Sequence, residues 1–154
     1  LAEAAIHPQS IMTAIVDVAD DGQMQALEKR VLDKFGRVDV LMNNAGMQPG
    51  STIFDESGNW QRIIDVNMWG VIRGSQRLAP GMIASGRPCL IVNQRSKHGI
   101  TTPPRDPAYT VSKAAARVFT EALQQELRNT PGCRVEARLF IPGFVYTPTI
   151  CGWG

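Results

Sequence analysis

The sequence predicts an α/β fold, a doubly wound parallel sheet, from three observations. Four short apolar runs alternate with three longer stretches of helical periodicity. The short runs are apolar almost without interruption, as in strands covered on both faces. Several of them open into loops of Asn, Ser, Gly or Pro, and open α/β sheets hold ligands at the carboxyl ends of their strands.

Residues 11–18, rich in Ile, Val and Thr, are the first expected strand, set off by Pro8 and Ser10 before and by Asp20, Asp21 and Gly22 after. Asp20 or Asp21 then caps a helix on which Met24, Leu27, Val31 and Phe35 recur, and Gly36 stops it. Residues 38–42 form the second strand, which breaks at Asn43-Asn44-Ala45-Gly46 into a loop reaching about Gly58. From Asn59 to Leu78, the spacing of Trp60, Ile63, Ile64, Val71 and Leu78 fits a long helix whose end is disturbed by Pro80-Gly81. Residues 89–92 are the third strand, followed by a polar loop through residue 106 that carries Gly99, Pro103 and Pro104. A helix over 107–129 puts Val111, Ala115, Val118, Ala122 and Leu127 on one stripe, and the fourth strand, 135–141, ends at Pro142-Gly143.

Composition narrows the function classes. With 154 residues, 44% hydrophobic and 19% charged, the chain has the make-up of one ordinary folded domain. Its 16 basic and 14 acidic residues are scattered, which argues against a nucleic-acid partner. Cys89, Cys133 and Cys151 have neither metal-site spacing nor the even count of a disulfide framework, so a reducing, cytoplasmic setting and no metal are expected. No apolar run approaches the roughly 18 to 20 residues that cross a bilayer, so no membrane partner is expected. Residues 1–6 read as the tail of a helix, and nothing helical follows the last strand. Residues 1–154 are therefore expected to be part of a domain, cut at both ends.

Tyr109 and Lys113 lie four apart on one helix, so their side chains project from one face. A phenol with an ordinary pKa of about 10 is a poor base at neutral pH; lowering it by ~3 units takes ~4 kcal/mol of phenolate stabilisation, which a neighbouring ammonium can supply. This spacing also arises by chance in many helices. More specific is the company it keeps: Ser96 lies thirteen positions upstream at a strand end, Asn67 inside the preceding helix, and Asn43-Asn44-Ala45-Gly46 after the second strand.

Through Asn43-Asn44-Ala45-Gly46, Asn67-Met68-Trp69-Gly70, Ser96, Tyr109-Thr110-Val111-Ser112-Lys113 and Pro142-Gly143-Phe144-Val145-Tyr146-Thr147, the chain resembles the classical short-chain dehydrogenases/reductases over nearly its whole length. The resemblance implies a partial Rossmann-like domain and a catalytic set of Asn67, Ser96, Tyr109 and Lys113. Tyr109 would be the general acid/base of an alcohol–carbonyl interconversion, and Ser96 would hold the same oxygen. Lys113 would lower the Tyr109 pKa and bind the nicotinamide ribose, and Asn67 would keep a water linking Lys113 to solvent. Contacts to NAD or NADP would come from Asp17 and Val18 at the adenine, from Asn43, Ala45 and Gly46 along the adenosine side, from Tyr109 and Lys113, and from Pro142, Gly143, Val145 and Thr147 at the nicotinamide. Asp17 equally reads as a turn cap, Pro142-Gly143 as a turn and Thr147 as a loop hydroxyl. Met47, Gln48, Lys97, His98 and Trp153 are pocket candidates for a small alcohol or carbonyl substrate.

The family's glycine-rich turn, T-G-x-x-x-G-x-G, whose backbone amides approach the pyrophosphate, is absent from these 154 residues. In the family's sheet order, 3-2-1-4-5-6-7, residues 11–18 resemble the third strand; the first two strands and the C-terminal elements are lacking, so residues 11–18 would have no neighbour to pair with. The resemblance implies a homodimer or homotetramer of the intact parent, built partly on the second and third helices. Two other readings are a non-enzymatic remnant that acts through protein partners on those helices, and an epimerase or dehydratase of the extended branch; the residues around Tyr109 are of the classical kind.

Overall fold

The computed structural model describes residues 10–97, 100–101 and 106–143. Helix α1 (Asp21–Phe35) begins where Asp20 accepts a hydrogen bond from the Gln23 amide and ends at Gly36, whose φ of 75° allows the left-handed cap. Strand β1 (Val40–Asn43) follows. Next comes one long helical rod in three pieces: α2 (Asn59–Ile64), a π turn (Asp65–Trp69) and α3 (Gly70–Ala84). Strand β2 (Cys89–Gln94), helix α4 (Pro107–Asn129) and strand β3 (Val135–Phe140) complete the described elements.

The three strands form one parallel sheet in the order β1-β2-β3, with Asn43 opposite Asn93 and Gln94 opposite Phe140. Because all three run the same way, their carboxyl ends share one edge, where the loops expected to carry chemistry emerge. One face of the sheet packs on α3 and α4: Cys89, Ile91, Val135 and Ala137 are buried with Ala79 and Met82 of α3 and Leu127 of α4. On the opposite face Val40, Met42 and Phe140 are exposed, so among the described residues helices cover one side of the sheet and not both.

Three expectations need correction. Residues 11–18 form no strand. A ladder needs a partner, none of the described strands pairs with them, and Ile15 is fully exposed. The segment is instead held by Val18, which packs against Gly70, and by the Lys34 ammonium, which donates to the Ile11 carbonyl at 2.8 Å. Second, the rod does not stop near Leu78 but runs through Pro80 to Ala84. Proline inside a helix costs ~3 kcal/mol, but Ala79 and Met82 on either side of it are core residues, and burying a methionine alone returns about 1.5–3 kcal/mol. Third, the buried stripe of α4 shares only Leu127 with the one that hydrophobic spacing picks out. Val111 and Val118 are exposed, and the buried residues are Ala108, Thr110, Ser112, Lys113, Ala116, Thr120 and Leu127. The layer that α4 faces up to Thr120 is polar, so small and hydroxylated residues fit it better than valines, while Leu127 further along meets the apolar core.

That layer is a buried network under the carboxyl edge of the sheet. The Asn43 carboxamide donates to Asn93 Oδ1 at 2.8 Å and to Ser75 Oγ at 3.2 Å, and Asn93 Nδ2 donates to Thr120 Oγ1 at 2.9 Å. Ser75 and Thr120 donate onward to Val71 O and Ala116 O on their own helices. The chain β1 to β2 to α4, with α3 alongside, is thus joined by satisfied hydrogen bonds, the condition for burying such groups without a large penalty. Close approach makes it possible: a Cβ at Gly74 would overlap the Asn43 carboxamide oxygen.

Gly74→Ala is therefore expected to lower unfolding free energy by roughly 1–3 kcal/mol through overpacking. Gly81→Ala, on the same helix with open space around it, should be neutral or stabilising by roughly 0.5–1 kcal/mol. Urea denaturation of both variants checks this; equal effects would contradict the packing of α3 on β1.

Candidate active site

The site grows from the edge where β1 and β2 end. After Asn43 the chain turns outward through Asn44, Ala45 and Gly46, all exposed, to half-buried Met47 and Gln48. Asn67, fully buried in the π turn, pins this loop: its Oδ1 accepts from the Met47 amide at 2.8 Å and its Nδ2 donates to the Met47 carbonyl at 2.9 Å. The same Nδ2 donates to Ser112 Oγ at 3.2 Å, and Ser112 in turn donates to the Tyr109 carbonyl at 2.7 Å. One carboxamide thus ties the loop after β1 to the first turns of α4. The π turn, closed by a bond from the Gly70 amide to the Asp65 carbonyl, interrupts the α-helical register where Asn67 projects.

Helix α4 begins at the site because Asp106 caps it. The carboxylate accepts from the Tyr109 amide and from Ser51 Oγ, and Pro107 at the first helical position needs no amide partner. Two side chains singled out in the sequence then leave the first turns. Tyr109 is half-buried and its phenol is hydrogen-bonded to Ser96 at the end of β2. Lys113 is 1% exposed; its ammonium lies 5.6 Å from the centre of the Tyr109 ring and donates to both the side-chain and the backbone oxygen of Gln94. A Cβ at Gly46 would stand 3.5 Å from both Lys113 Nζ and Asn67 Oδ1, so the exposed backbone of Gly46 is the rim of the Lys113 pocket.

The electrostatics follow from burial. The Lys113 ammonium is pushed down from 10.5 to about 8 because its charged form is desolvated. Burial also raises the Tyr109 phenol above its ordinary 10; the Ser96 hydrogen bond pulls it back, and the Asp106 charge pushes it further up. The resemblance implied a lowered phenol, and in the chain by itself the direction is the opposite: desolvation outweighs the Ser96 bond.

Of the residues singled out in the sequence, the structure brings Ser96, Tyr109, Lys113 and Gly46 to one place, with Asn67 and Met47 directly beneath. Asn43 spends its carboxamide in the buried network, and Val18 packs on Gly70. Asp17 accepts from the Ala19 amide at 2.9 Å, the turn-cap role. Lys97 is exposed, and Pro142 and Gly143 follow β3 at the same sheet edge. His98, Val145, Thr147 and Trp153 lie outside the described residues. Sequence reasoning passed over Gln94, because a polar residue closing an apolar strand carries no motif. It also passed over Arg95, 5% exposed, whose Nε and Nη2 have no hydrogen-bond acceptor among the described residues.

Replacing Lys113 with Met tests the burial of its charge. Below about pH 8 the ammonium is charged in folded and unfolded chain alike, and folding carries the full desolvation cost; between about 8 and 10.5 the folded chain sheds its proton first and the cost fades. Wild type should therefore gain stability relative to Lys113→Met across that window, by up to roughly 3 kcal/mol. Urea unfolding at intervals from pH 7 to 10.5 reads the difference, and a difference that stays flat would contradict it.

Known proteins resemble the chain in sequence and in fold. The family model for short chain dehydrogenases matches residues 1–151. An uncharacterized oxidoreductase of Staphylococcus saprophyticus is 34% identical over 90% of this chain and 58% of its own, and a 3-oxoacyl-acyl-carrier-protein reductase of Thermotoga maritima is 33% identical over 95% and 58%. Among solved structures, a short chain dehydrogenase/reductase from Burkholderia phymatum in complex with NAD superposes with a TM-score of 0.83 at 36% identity, covering 87% of this chain and 48% of that one. A gluconate 5-dehydrogenase from Burkholderia cenocepacia in complex with NADP and tartrate gives 0.80 at 28% identity, covering 88% and 52%. The chain spans about half the length of these relatives, and over that half, in sequence and in fold, it belongs to the short-chain dehydrogenase family.

Proposed function

We propose that the parent protein is a nicotinamide-dependent oxidoreductase that interconverts an alcohol and a carbonyl compound by hydride transfer. The observation that carries this reading is the meeting of the Ser96 hydroxyl, the Tyr109 phenol and the buried Lys113 ammonium at the carboxyl edge of a parallel sheet. Relatives solved with NAD and with NADP support either nucleotide as the partner. No described helix is long and apolar enough to cross a membrane.

The residues fit the nicotinamide-ribose half of such a cofactor. An ammonium has three N–H donors, and Gln94 supplies two acceptors, so one donor remains for a ribose hydroxyl at the rim that Gly46 leaves open. They do not fit the pyrophosphate, because the glycine-rich turn is not in the sequence. A nicotinamide held there would be the source or acceptor of the hydride. Everything else is work for the chain: Ser96 orients the substrate oxygen, Tyr109 moves a proton to or from it, and Lys113 places a positive charge beside the phenol. A phenol held above 10 is protonated at neutral pH, the form that donates to a carbonyl oxygen during reduction. Asn67 sets the height of the Gly46–Met47 rim. Exposed Trp69, Val111 and Val118 support self-association of the parent through the rod and α4.

Two measurements test the reading. With the complete parent and 4-deuterated NADH or NADPH, a panel of aldehydes and ketones should yield alcohol deuterated at the carbinol carbon, and Tyr109→Phe should lower kcat by about 10²–10⁴ while the protein stays folded. Absence of deuterium transfer to every carbonyl tried, or full activity of Tyr109→Phe, would sink the proposal. For the 154-residue chain by itself, calorimetry with NADH and NADPH should show no binding in the micromolar range, and micromolar affinity would overturn the role given to the missing turn.

A further inference from the structure

The Lys113 ammonium is 1% exposed, yet no described carboxylate pairs with it. A buried charge without a counter-ion must be held by dipoles or lose its proton. The nearest polar candidate, Asn67, is already committed, with its oxygen on the Met47 amide and its nitrogen on the Met47 carbonyl and Ser112. Among the described residues, both hydrogen-bond acceptors of the Lys113 ammonium belong to Gln94: the backbone carbonyl at 3.5 Å and the carboxamide oxygen at close range.

Gln94 is suited to this by its place in the fold. It is the last residue of β2, with its backbone fixed by pairing to Phe140, and its side chain is half-buried between the strand end and α4. Its main-chain and side-chain oxygens therefore converge on one point, and that point is where the lysine one turn along the helix from Tyr109 arrives. Neither the short-chain dehydrogenase pattern seen in the sequence nor any motif assigns this residue a task.

We propose that Gln94 is a positioning residue for Lys113: its two oxygens form a neutral clamp that keeps the buried ammonium protonated and anchored near the Tyr109 ring. The proposal rests, for its catalytic meaning, on the reading of Lys113 given under the proposed function. The clamp itself requires neither cofactor nor substrate. Among the described residues, the other charged or titratable groups on the elements around the clamp are Tyr109 and Asp106 on the same helix, Arg95 and Lys97 after Gln94, and Asp65 in the π turn. Asp106 is turned to Ser51 and the Tyr109 amide, and Asp65 accepts from Gln61.

The test is a titration of Lys113 in the 154-residue chain carrying lysine labelled with ¹³C at the ε carbon, the resonance being assigned from its loss in Lys113→Arg. Gln94→Met removes the side-chain acceptor and should move the Lys113 midpoint down by about one pH unit, a tenfold loss of proton affinity. Gln94→Glu, close to isosteric, replaces a dipole with a charge and should move it up by at least as much. A loss of packing alone would not produce shifts of opposite sign. Midpoints within 0.2 units of wild type (roughly the precision of such a titration), or shifts in one direction for both variants, would overturn the proposal; should Gln94→Met fail to fold, the upward shift in Gln94→Glu decides by itself. Because the titration uses no nucleotide, a failed deuterium-transfer assay leaves the clamp standing, and a flat titration leaves hydride transfer standing.

Discussion

A buried ammonium at the carboxyl edge of a parallel sheet is the constraint on which the arrangement depends. Taking a lysine charge out of water costs several kcal/mol unless its donors are satisfied. Lys113 meets that cost with oxygens at a strand end rather than with a carboxylate. A carboxylate partner would neutralise the field at the site, whereas neutral oxygens leave a net positive charge 5.6 Å from the ring of Tyr109. The same burial that prepares the charge also raises the phenol, so the chain by itself holds a proton donor and a cation in contact. A further positive charge beside them would lower the phenol.

Beneath that pair the chain uses polar side chains as a framework. Asn43, Asn93, Ser75 and Thr120 link β1 and β2 to α3 and α4, and Asn67 with Ser112 links the loop after β1 to α4. Amides and hydroxyls have directional bonds, which apolar packing lacks, so the framework fixes the register of α4 against the strand ends and with it the relative height of Tyr109, Ser96 and Lys113. Glycines at 70 and 74 are the geometric condition, since they let α3 approach Val18 and Asn43 closely.

Much of this was legible in the sequence, and the failures share a cause. Local signals read well: Gly36 ends α1, and α4 runs from Pro107 to Asn129 as the periodicity predicts. The family pattern located Ser96, Tyr109, Lys113 and Asn67. Residues 11–18 read as a strand because β propensity is local, while a strand exists only with a partner, and none is supplied among the described residues. Hydrophobic spacing puts Val111 and Val118 in the core because it assumes an apolar interior, and the interior facing α4 up to Thr120 is amide and hydroxyl. The π turn leaves no compositional trace. Gln94 was invisible for the same reason as the network: its significance lies in where two oxygens converge, which only the fold decides.

The central claim is that Lys113 is buried in this site while the other lysines are not. Competitive acylation of the folded chain with a trace amine reagent, read by mass spectrometry of the peptides, measures this directly. The account predicts that Lys113 reacts at least about tenfold more slowly than Lys29, whose side chain is 76% exposed, and that the two react alike once the chain is unfolded in urea. Equal reactivity of Lys113 and Lys29 in the folded chain would contradict it.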